Sequence, residues 1–92
     1  VTLTADEVRG IREGLGFTQA QLARSFGVNV RTVHRWESGG PAPAGTARAI
    51  LVACRHLLAT GRPEAVEELR RLLGLGIGAT SAILLGRGVS SP

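Results

Sequence analysis

The chain has 92 residues, 43 % hydrophobic but only 3 % aromatic, and a formal net charge of +4, enough for one compact domain with an aliphatic core of the kind packed helices build. One cysteine, Cys54, excludes an internal disulfide and a cysteine zinc cluster. No apolar run approaches the roughly 20 residues of a membrane span and no basic-then-apolar leader is present, so a cytoplasmic protein is expected.

All eleven basic residues are arginine, and they are unevenly spread: residues 1–62 hold eight against four acids (Asp6, Glu7, Glu13, Glu37), residues 63–92 three against three. Gathered on one face, that excess would attract a polyanion.

In chain order, Leu3-Thr4-Ala5-Asp6-Glu7-Val8 is a dense helix start. Thr4 and Glu7 form a capping box and Leu3 can staple to Val8. The helix is expected from about Ala5 to Leu15, with Val8, Ile11 and Leu15 inward and Gly16 as its stop. The device then repeats: Thr18 and Gln21 form a second box, Phe17 can staple to Leu22, and a helix from about Gln19 to Phe26 buries Leu22, Ala23 and Phe26. Gly27 ends it with a positive φ. Asn29 caps a third helix, about Val30 to Ser38, which stops at Gly39-Gly40-Pro41. Val33 and Trp36, three apart, share its buried face. Arg31 and Arg35 are expected to point outward, with one of Thr32 or His34.

Beyond the stiff stretch 41–45, a fourth helix is expected from about Thr46 to Ala59, with Ala47, Ile50, Leu51, Cys54, Leu57 and Leu58 at helical spacing. Gly61 closes it. Pro63 opens a fifth helix with Glu64, Glu67 and Glu68 early and Arg70 and Arg71 late, an order that complements the helix dipole. Val66, Leu69, Leu72 and Leu73 form its apolar stripe. Leu75 to Gly78 reads as a loop, and Ala79 to Leu85 as a short apolar helix or strand. The expected fold is all-α: four or five helices with a short apolar C-terminal element. Residues 1–61 form a helix-turn-helix core and residues 62–92 a helical and apolar extension of the same domain.

No catalytic constellation is visible. Ser25 has no base at helical spacing, and no carboxylate pair lies in a motif of known mechanism, so no enzyme is expected. His34 and His56 have no third ligand type nearby, so no metal is expected. Gly74, Gly76 and Gly78 lack a following Lys-Ser or Lys-Thr and a preceding strand, which speaks against a phosphate loop and a nucleotide cofactor. Cys54 sits in an aliphatic stripe and reads as core.

Gln19, Ala23, Gly27, Val33 and the closing Trp36-Glu37-Ser38-Gly39 together resemble the Xre, or lambda-repressor-like, helix-turn-helix family. The resemblance spans Leu3 to about Ala59. It implies a regulator, expected to be a repressor, that binds double-stranded DNA with the third helix in the major groove. Carried over by position, Arg31, Thr32 and Arg35 fall where the family reads base edges, and His34 reaches a base or a phosphate. Gln19, Arg24, Asn29, Ser38, Gly39 and Arg48 are the expected phosphate contacts. Relatives commonly carry basic residues after the glycine pair, but residues 41–47 hold none, which moves weight onto Arg24 and Arg48. Arg12 and Glu37 occupy positions that pair in some relatives, implying a partly buried salt bridge that orients the reader helix.

One such module makes few base contacts, so a homodimer on a palindrome is expected. Its surface would comprise Val66, Leu69, Leu73, Ile77, Ile83, Leu84 and Leu85. The stretch Thr-Val-x-Arg-Trp-Glu also resembles antitoxin-type regulators, in which the same segment would bind a toxin or another protein partner.

Overall fold

A computed structural model of the chain describes residues 2–78 and 80. Five α-helices follow one another: α1 (Ala5–Leu15), α2 (Gln19–Phe26), α3 (Val30–Glu37), α4 (Gly45–Ala59) and α5 (Pro63–Gly74). There is no strand among the described residues, and the all-α reading stands.

Each of the first three helices starts where its cap dictates. Thr4 Oγ1 accepts from the Glu7 backbone N–H at 3.1 Å while the Glu7 carboxylate accepts from Thr4 N at 2.8 Å. Thr18 and Gln21 reproduce this box with the same two distances. Asn29 Oδ1 accepts from Arg31 N at 2.8 Å. These bonds satisfy amides that a helix start leaves unpaired. α4 begins without a side-chain cap, one residue earlier than its apolar spacing predicts.

α3 packs on α2 and α1, α4 on α1 and α5, and α5 on α1 and α2. The turn between α2 and α3 requires glycine at position 27, where φ is +68°, a region that a Cβ disfavours. At Gly14 the reason is space: an added Cβ would lie 3.1 Å from Leu58 Cδ1, so its absence lets α1 and α4 approach.

One core joins all five helices. Val8, Ile11 and Leu15 of α1 meet Leu22, Ala23 and Phe26 of α2, Val33 and Trp36 of α3, Ile50, Leu51 and Cys54 of α4, and Leu69 and Leu73 of α5. Phe26 and Trp36 pack edge to face with centroids 6.2 Å apart, a favoured aromatic geometry. Burial pushes the Cys54 thiol up to about 12, so it stays a protonated, unreactive core group.

The C-terminal segment differs from its sequence reading in two places. Leu69 and Leu73, assigned above to a dimer surface, are buried in the chain's own core at 1 % and 0 % exposure. An apolar stripe on α5 does not say which neighbour covers it, and α1, α2 and α4 pack against that helix here. The Ser25 hydroxyl fastens that contact by donating to the Leu73 carbonyl at 2.6 Å. Ile77 and Gly78, read as loop, are helical, and Ile77 is half-buried against the core. Ile83, Leu84 and Leu85 lie outside the described residues, as does the expected tail element apart from Ala79's neighbour Thr80.

Candidate nucleic-acid interface

The eight residues of α3 divide sharply by face. Successive residues turn about 100° around a helix axis, so Val33, Trp36 and Glu37 fall together, and these three are buried. Arg31, His34 and Arg35 fall opposite and are exposed, while Thr32 lies at the edge and is half-buried.

The buried face carries one charge, and it is heavily engaged. Arg12 Nε donates to Glu37 Oε2 at 2.6 Å and Arg12 Nη2 to Oε1 at 3.0 Å, a bidentate pairing. The third Arg12 nitrogen, Nη1, donates to the Phe17 carbonyl at 2.9 Å. Gln19 Nε2 donates to Glu37 Oε1 at 3.1 Å. Arg9 Nη2 reaches the Glu37 backbone carbonyl at 3.0 Å, with its Nε 3.7 Å from the carboxylate. Burial by itself would raise the Glu37 carboxyl. The hydrogen bonds from Arg12 and Gln19, with the charges of Arg12 and Arg9, outweigh it and hold the group below the usual carboxylate range. The end of α3 is thereby tied to α1 and to the start of α2.

Arg9 and Gln19 join this network without a signal in their spacing. Position 19 was assigned to a phosphate, and only one of its two amide N–H donors is used by Glu37.

The arginines outside that network separate into two groups. Arg55 pairs with Glu7 at 2.9 Å, Arg70 with Glu67 at 3.6 Å, and Arg71 with Glu68. Arg24, Arg31, Arg35, Arg48 and Arg62 make no side-chain hydrogen bond or ion pair among the described residues, and all five are exposed. Four of them lie between residues 17 and 48, where the sole acid is Glu37. The helix-turn-helix unit therefore presents positive charge that nothing on its own surface neutralises.

Asn29, Ser38 and Gly39 are exposed at the two ends of α3. The Asn29 side chain is occupied as a cap, and Ser38 Oγ donates to the His34 carbonyl at 2.8 Å. Among the described residues no three His, Cys, Asp or Glu side chains are grouped to hold a metal, and no helix is long and apolar enough to cross a membrane.

A short pinned helix with an outward, unneutralised arginine face, set after a glycine turn, is the arrangement that a DNA groove accepts. A family model described as helix-turn-helix matches residues 8–55, more than half of the chain. No curated protein and no solved structure matches it significantly. The matched span runs from α1 through most of α4 and contains the whole Glu37 network and, among the described residues, every free arginine but Arg62. The chain belongs to the Xre, or lambda-repressor-like, helix-turn-helix family of DNA-binding transcription regulators.

Proposed function

We propose that this chain reads a specific double-stranded DNA sequence through α3 in the major groove and acts as a repressor in the form of a homodimer. The observation that carries the reading is the unpaired, exposed pair Arg31 and Arg35 on the face opposite Val33, Trp36 and Glu37. Arginine is the side chain best matched to guanine O6 and N7, and a good bidentate contact discriminates by about 1–3 kcal/mol. Thr32 and His34 flank the two arginines and complete the base-reading set. Arg24, Arg48, Asn29, Ser38, Gly39 and the second N–H of Gln19 serve the phosphates, with the first amides of α2 favouring an anion there.

Dimerisation rests on a different observation. Leu75, at the exit of α5, is 66 % exposed, and Val66 and Ile77 are half-buried. With Leu69 and Leu73 taken into the core, this smaller patch is the proposed contact between copies. Half-sites would lie about 34 Å apart or at a multiple of that spacing.

Selection of bound sequences from random duplexes tests the reading. The expected result is an enriched sequence with two symmetric halves; a bound pool no different from the starting one contradicts it. Sedimentation at micromolar concentration is expected to show dimers. A heterologous partner, as in the antitoxin resemblance, would instead leave the isolated chain monomeric. A reporter promoter overlapping the selected site is expected to lose output when the chain is expressed, and a gain would contradict repression.

A further inference from the structure

The first residue of α3 is an anomaly that neither the core nor the caps explain. Val30 is 44 % exposed, and it is absent both from the core and from the partly buried side chains packed against it. Valine is a mediocre helix former because its branched Cβ loses rotamer freedom. At a helix start it neither caps nor complements the dipole. An exposed position that breaks local preference without a packing gain is where a functional contact is expected.

Its neighbours say what the contact would be. Val30 stands one residue before Arg31 and four before His34, next to the outward face of α3. Side chains on a helix lean toward its N-terminus, so Val30 covers the leading end of the reader helix, the end that meets base edges in this mode of docking. Its surroundings, exposed Asn29 and exposed Arg31, are polar and leave the two methyl groups as the apolar feature of that end. The major groove presents one apolar group, the C5 methyl of thymine.

We propose that Val30 is a specificity-determining residue that packs against a thymine methyl in the base pair next to the guanine read by Arg31. The proposal rests on α3 being the groove helix. It assigns the site a composite preference: a guanine recognised by hydrogen bonds and an adjacent thymine recognised by apolar contact. Val30 removes water from the methyl and selects against cytosine, which lacks that group.

The test uses the full chain, the duplex enriched by selection, and the same duplex with single thymines replaced by deoxyuridine, which deletes only the methyl. Wild-type protein is expected to lose about fourfold in affinity at one such position, the worth of one buried methyl group. Val30→Ala is expected to bind the thymine and deoxyuridine duplexes equally. Selection repeated with Val30→Ala is expected to relax that one base pair and keep the guanine. The variant's circular dichroism spectrum serves as the folding control. Equal sensitivity of wild type and variant to every deoxyuridine, or a site with no thymine that Val30→Ala relaxes, overturns the proposal while leaving the groove reading intact. Failure to enrich any sequence overturns both.

Discussion

Two sets of arginines separate the molecule into an inner and an outer surface. Arg9 and Arg12 direct their charge to Glu37, a side chain 2 % exposed, and so bind α1 to the end of α3. Arg31 and Arg35, on the other side of the same helix, direct theirs to nothing within the described chain. The same residue type thus does opposite work on one eight-residue helix. Where a carboxylate faces the guanidinium, it holds the helix in place; where none does, it keeps an uncompensated charge available. A helix this short is not stable alone, so the inner set is what makes the outer one a defined surface.

Breaking the inner set has the largest expected effect. Arg12→Ala leaves the Glu37 carboxylate buried beside only Gln19 and the more distant Arg9, and it is expected to cost about 3 kcal/mol in urea unfolding. DNA affinity should fall with it, because α3 loses its anchor. A variant as stable as the wild type would show that Glu37 is held by packing and not by charge.

Acid sharpens the same contrast. The native Glu37 carboxyl sits below its ordinary value, so its contribution is fully present above the unfolded value of about 4.3 and is lost as pH falls through the lower native one. Stability is therefore expected to drop in that acidic window, and Glu37→Gln is expected to flatten the drop. Glu7 and Glu68 are also lowered, the first by its bond to the Thr4 backbone and the second by Arg71, but both are solvent-exposed pairs of small effect. An unchanged slope in Glu37→Gln would remove Glu37 from the account.

The smallest effects belong to the outer set's periphery. Arg24→Ala and Arg48→Ala are each expected to weaken all duplexes alike and to lower the slope of log affinity against log salt by about one. Arg62→Ala, equally exposed and unpaired but beyond the matched span, is expected to leave the slope unchanged. A change of slope for Arg62 alone would move the phosphate track elsewhere.

How much of this was legible beforehand follows the range of the interactions. Both capping boxes, the Asn29 cap and the Gly27 turn are written within four residues, and the starts of the first three helices match them. The inward set on α3 follows from its periodicity, since Val33 and Trp36 face the core. Long-range partners leave no such local mark. The Ser25 bond to Leu73 joins positions 48 apart, and nothing near either residue announces it. Arg9 and Gln19 reach Glu37 across 28 and 18 positions. The misplacement of Leu69 and Leu73 has the same origin, because an apolar stripe specifies burial but not against which surface. α4 starts at Gly45 without a side-chain cap, which explains why its start alone among the five helices was displaced.

The account stands or falls on the outward pair. The double variant Arg31→Ala/Arg35→Ala, measured for affinity to the selected duplex and for thermal melting on the same preparation, tests it most directly. We predict an affinity loss of at least about thirtyfold, from two lost base contacts of roughly 1–3 kcal/mol each, with a melting temperature equal to that of the unsubstituted chain. Retained sequence-specific binding, or binding lost only together with the fold, would contradict it.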